Sequence, residues 1–120
     1  MKSELSTGQQ AELWASNYLQ QQGLILVTKN YHCRRGEIDL IMQDNQTLVF
    51  IEVRYRKSAR FGSALESVNY KKQEKIIFTA EHYLLQNKQD FSSYRFDVVA
   101  ISPEQHTPKI TWLKDAFQLN

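Results

Sequence analysis

At 120 residues, with 42% hydrophobic and 23% charged residues, the chain has the make-up of one globular, water-soluble domain. Its single cysteine, Cys33, excludes an internal disulfide and any zinc site built on several thiolates. A formal net charge of +2 is compatible with nucleic acid without requiring it, and no apolar run approaches the ~20 residues that span a bilayer.

Residues 1–7 are expected to fray, and residues 1–9 lack a signal peptide's apolar core, so no membrane partner and a cytoplasmic location are the default. Ser6 or Thr7 is placed to cap a helix running to about Gln22, which Gly23 ends. Ala11, Trp14, Ala15, Tyr18 and Leu19 recur at helical spacing and mark its buried face. Glu12 lies on the shoulder of that stripe; a glutamate in the first turns is also ordinary, because the helix dipole favours it. A short strand follows over residues 24–28, then a polar crossing over 30–35. His32 and Cys33 sit in the crossing. One His beside one Cys lacks the further ligands of a zinc site, and no upstream acid orients the His, so both read as structural.

Residues 36–56 carry the most information. Gly36-Glu37-Ile38-Asp39-Leu40-Ile41-Met42 and Leu48-Val49-Phe50-Ile51-Glu52-Val53-Arg54 flank a short polar break, the pattern of a β-hairpin. With Asn45-Gln46 as a two-residue loop, every opposed pair sums to 91. Asp39 then faces Glu52, and Glu37 faces Arg54. Opposed and alternate side chains share a face, so carboxylates and a guanidinium converge on one patch. Opposed like charges destabilise a sheet unless a cation lies between them. Two readings stand at this point: a metal site, and a solvated face with a Glu37–Arg54 ion pair.

Beyond the hairpin the chain turns polar. Arg54, Arg56, Lys57 and Arg60 suit a phosphate backbone, as they suit a solvated loop. A second helix is expected from about Ser67 or Val68 to Gln86, with Ile76, Ile77, Ala80, Tyr83 and Leu84 on its apolar face. Lys71, Lys72 and Lys75 load its first turns against the helix dipole, a conflict that points either to nucleic-acid contact or to an ordinary solvated face. A strand over 94–101 and an edge strand over 109–113 complete the series. Asp97 reads as structural, held by Arg95 or a loop amide. The element order α-β-β-β-α-β-(β) is that of an α/β domain, a mixed sheet flanked by helices, covering residues 1–120.

Several of these stretches together resemble the small bacterial YraN proteins. They are Gly8 and Glu12 with Ala15 and Leu19, then Gly36 to Ile41, Val49 to Arg56, Phe61-Gly62, and Arg95 to Val99. The resemblance covers roughly residues 8–117. That family is similar to nucleases of the PD-(D/E)XK, restriction-endonuclease-like superfamily, and within it to archaeal Holliday-junction resolvases. The resemblance implies a restriction-endonuclease-like fold and metal-dependent hydrolysis of DNA, branched structures included. It implies a catalytic set of Glu12, Asp39, Glu52 and Arg54, with Mg²⁺ or Mn²⁺ held by Asp39, Glu52 and the Val53 carbonyl. Arg56, Lys57, Arg60, Lys71 and Lys72 would then contact nucleic acid, and a homodimer follows by analogy with the resolvases. Arg54 departs from the pattern, because the family's kin carry lysine there and arginine does not lose its proton in proteins. The alternative is a nucleic-acid-binding module on a nuclease fold with little or no cleavage.

Overall fold

The computed structural model describes residues 6–56, 66–88, 91–103 and 107–118. Its centre is the hairpin. Strands β2 (Gly36–Asp44) and β3 (Thr47–Tyr55) pair antiparallel, with Asp44 opposite Thr47 and Leu40 opposite Ile51. The register is the one expected from the two-residue loop, and Asn45 takes the positive φ of 55° that such a turn needs. β1 (Ile25–Cys33) pairs antiparallel with β2 on the other edge.

From β3 the chain passes through α2 (Tyr70–Gln86) and returns as β4 (Ser93–Ser102), which lies parallel to β3. β5 (Lys109–Phe117) closes the sheet antiparallel to β4, in the order β1-β2-β3-β4-β5. Among the described residues, the one parallel pair is where the helical crossover falls, as a parallel connection requires.

Each face of the sheet buries one helix. Leu40, Met42, Val49, Ile51, Val99 and Ile101 pack with Ala11, Ala15 and Leu19 of α1 (Thr7–Gln21). Ile41, Phe50, Phe96 and Val98 pack with Ile76, Ala80 and Tyr83 of α2. The alternation along β3 and β4 therefore sorts side chains between two apolar layers, which is why these strands read as near-continuous hydrophobic runs.

Three elements differ from the sequence expectation. β1 runs on to Cys33, through the expected polar crossing, because an edge strand tolerates polar side chains while its main chain pairs with β2. A bulge between Leu26 and Thr28 and a positive φ of 54° at Asn30 bend it. β5 extends to Phe117, whose ring stacks on Phe96 with centroids 5.1 Å apart. α2 begins at Tyr70, because Asn69 adopts the extended conformation of a cap and its side chain accepts from Lys72 N at 2.9 Å.

Candidate functional site

The hairpin's regular pairing stops at Leu40–Ile51, one step short of the acidic pair. There the Val53 N–H donates to Asp39 Oδ2 at 2.8 Å, so a side-chain carboxylate stands in for a ladder carbonyl. The pleat breaks at the same place: Ile38 packs in the layer of α2, while Leu40 packs in the layer of α1. At this break the Asp39 carboxyl hydrogen-bonds with that of Glu52. Burial, and then the facing Glu52, push the Asp39 carboxyl up to about 8 from its ordinary 3.8.

Glu52 is 5% exposed near the end of β3, and besides Asp39 it meets two cations. Lys72 Nζ of α2 lies 2.8 Å from Oε2, and Arg54 Nη1 lies at 3.5 Å. Arg54 is steered away by a second bond, its Nε donating to Ser67 Oγ at 2.9 Å. Arg54 therefore pairs with Glu52 on its own strand. Glu37, the partner expected from the register, is exposed and sits opposite His32 of β1.

These groups floor a cleft of about 820 Å³ between the first turns of α1, the β1–β2 turn, the end of β3 and the start of α2. Glu12 lines it from α1. Its pKa is raised, first by burial and then by Glu37 and Glu52, against a hydrogen bond to the Asn30 side chain. That bond turns Glu12 toward β1. Among the described residues, no group of three or more His, Cys, Asp or Glu side chains is arranged to hold a metal ion. A cation in this cleft would thus rest on Asp39 and Glu52 with main-chain oxygen and water. The donors present are the hard oxygens that Mg²⁺ and Mn²⁺ take, and the two facing carboxyls carry a repulsion that a cation would relieve. On that chemistry the residues fit such an ion.

Lys71 lines the cleft and is exposed. Lys72 lines it too, but its ammonium is spent on Glu52. Arg56 follows β3, its main-chain N–H donating to Ile101 O at 2.8 Å. Lys57 and Arg60 lie outside the described residues. His32 and Cys33, read as structural, both line the cleft; His32 Nδ1 lies 3.3 Å from Asn30 O, and Cys33 Sγ donates to Thr79 Oγ1 at 3.6 Å. Lys75, singled out with Lys71 and Lys72, lines the cleft too; sequence reasoning missed Arg34 and Arg35, which also line it. The signal was present as two adjacent arginines just before Gly36.

The family described as uncharacterised protein family UPF0102 matches residues 11–101, the stretch that holds all four candidate catalytic side chains. A UPF0102 protein of Nitrosococcus oceani is 52% identical over 117 residues, covering 93% of this chain and 91% of the relative. One from Saccharophagus degradans is 50% identical over 121 residues, covering 100% of this chain and 99% of the relative. A third, from Psychromonas ingrahamii, is 52% identical over 118 residues, covering 98% and 94%.

Proposed function

The chain belongs to the uncharacterised, YraN-like family UPF0102, and from that premise we propose that it is a Mg²⁺- or Mn²⁺-dependent nuclease hydrolysing phosphodiesters in DNA, branched structures included. One observation carries the reading. Two carboxyls on adjacent strands, Asp39 and Glu52, are pressed together at the floor of an open cleft whose rim is cationic. The cost of facing carboxyls is justified by a task rather than by stability. The placement of Glu12 on the first helix, with Asp39 and Glu52 on the two hairpin strands, supports the restriction-endonuclease-like comparison.

Asp39, Glu52 and the Val53 carbonyl are the groups that would hold the metal. When bound, Mg²⁺ or Mn²⁺ supplies Lewis acidity toward a phosphate oxygen and eases ionisation of water. The remaining work falls to side chains of the chain itself. Val53 N–H orients the Asp39 carboxylate. Lys72 neutralises Glu52 from α2, a contact that a cation at Glu52 would displace. Arg54, aimed by Ser67, offers N–H donors to charge that develops on the phosphate. Arg54 stays charged, so proton abstraction is not its role.

A specific observation favours a second reading, a nucleic-acid-binding module without cleavage: Lys72 and Arg54 already neutralise Glu52. The two readings part on one experiment. Duplex, single-stranded, flapped and four-way DNA are incubated with wild type and Asp39→Ala, with Mg²⁺, Mn²⁺ or chelator. The nuclease predicts cleavage of at least one substrate that needs the metal and is lost in Asp39→Ala. Binding to these substrates without such cleavage would leave the binding module in its place.

A further inference from the structure

The β1–β2 turn places Arg34 and Arg35 between the paired residues Cys33 and Gly36, and both arginines line the cleft. This turn is fastened to α2 at three points. Gly36 lies so close to α2 that a Cβ there would come within 2.9 Å of Thr79 Oγ1 and 3.4 Å of the Lys75 carbonyl oxygen. Cys33 Sγ donates to the same Thr79 hydroxyl, which itself donates to Lys75 O at 2.8 Å. The Arg35 guanidinium lies over the Phe78 ring, 4.5 Å from its centroid.

The turn and the start of α2 are therefore one continuous surface. Along α2, positions 71 to 79 span about 12 Å at 1.5 Å per residue. Lys71 stands at one end, Lys75 in the middle, and the docked arginine turn at the other. The strip is long enough to meet more than one phosphate of a single strand. Arg35 is pre-oriented: an ordinary surface arginine loses rotamer freedom on binding, whereas Arg35 is already held against an aromatic face.

We propose that the Arg34–Arg35 turn, docked on α2 beside Lys75, is a phosphate-binding rim that holds a nucleic-acid strand across the carboxylate floor. The inference rests on the reading that nucleic acid occupies the cleft. It adds a contact surface which neither the family resemblance nor the candidate catalytic set supplies. A strand held there passes over Asp39 and Glu52, because rim and floor line the same cleft. An acidic floor repels phosphates, so the affinity must come from the rim.

Binding to a labelled DNA duplex and to its single strand, measured across a salt series, tests the rim without requiring turnover. Each phosphate contact adds about 0.9 to the log–log slope on duplex DNA. Replacing both arginines (Arg34→Ala with Arg35→Ala) should flatten the slope by about 1.8. Between about 50 and about 200 mM salt, wild type should then lose about 12-fold more affinity than the variant. Lysine at both positions should restore most of the slope. An unchanged slope and affinity in the double alanine variant, with a thermal transition like that of wild type, would remove the turn from the interface. If Lys71→Ala with Lys75→Ala still weakened binding, DNA would remain the occupant and only the arginine turn would be lost from the proposal. Absence of DNA binding by wild type at low salt would overturn both.

Discussion

Two cations share one carboxylate at the base of the cleft, and they are not equivalent. Arg54 lies on the same strand as Glu52, two residues away, but Ser67 holds its Nε and leaves Nη1 at 3.5 Å. Lys72 comes from α2 and reaches 2.8 Å. The i, i+2 relation along a strand is visible in a sequence, so Arg54 carried the weight there. Lys72 joins Glu52 from the far side of residues 57–65, and no local pattern announces that meeting. The consequence is measurable. A divalent ion at Glu52 must displace or tolerate the ammonium, since like charges crowd one carboxylate. Lys72→Gln should therefore tighten Mn²⁺ binding several-fold in calorimetric titrations, while Arg54→Gln should change it less. Weaker Mn²⁺ binding in Lys72→Gln would mean that the lysine organises Glu52 for the metal rather than competing with it.

Among the elements, legibility followed the kind of signal each strand or helix carries. The hairpin was readable to the residue from Leu40 to Ile51, because a period of two and a two-residue loop leave one register that buries Ile41, Phe50 and Leu48. What the register did not convey is that pairing ends at Leu40–Ile51, with Asp39 spent on Val53 N–H. That break is a tertiary event with no period of its own. β1 was cut short because its polar residues at Asn30 and His32 mimic a loop, although edge pairing carries the strand to Cys33. The start of α2 was placed two or three residues early because Val68, fully buried, looks like the first residue of the apolar face. Asn69 is the actual cap, and its bond to Lys72 N sets the turn from which Lys72 reaches Glu52. Asn69→Ala should lower stability by about 1 kcal/mol in urea melts, and Asn69→Asp should recover most of it. No loss would show that the Gln73 side chain, which donates to Val68 O at 2.9 Å, holds this turn by itself.

Across the whole molecule, two strand aspartates stand in opposite environments on one sheet. Asp97 is fully buried on β4 and satisfied from several sides. Arg95 Nε donates to it at 3.0 Å, Trp112 Nε1 at 2.9 Å and Asp115 N at 2.9 Å. Arg95 also pairs with Asp44 at 3.0 Å, so one network ties β2, β4 and β5 together. Asp39, on the same sheet, has the Val53 N–H and a facing carboxyl instead. The sequence offered Arg95 or a loop amide as the partner of Asp97; Arg95 is there, whereas the amide is that of Asp115 inside β5, and Trp112 was not foreseen because no local pattern shows which β5 side chain meets β4. Asparagine should then act oppositely at the two sites. Asp97→Asn replaces an acceptor by a donor among donors and should cost about 3 kcal/mol at neutral pH. For Asp39 the sign runs the other way. Its folded pKa stands near 8 against 3.8, so the folded state holds a proton that the unfolded chain has released. Stability therefore falls as pH rises from about 4 to about 8, through this group. Asp39→Asn keeps the Val53 bond, removes the titration and should become more stable than wild type toward pH 8. Urea midpoints from pH 5 to pH 9 decide it: the two curves should diverge with rising pH, whereas parallel curves would mean that the facing carboxyls impose no strain.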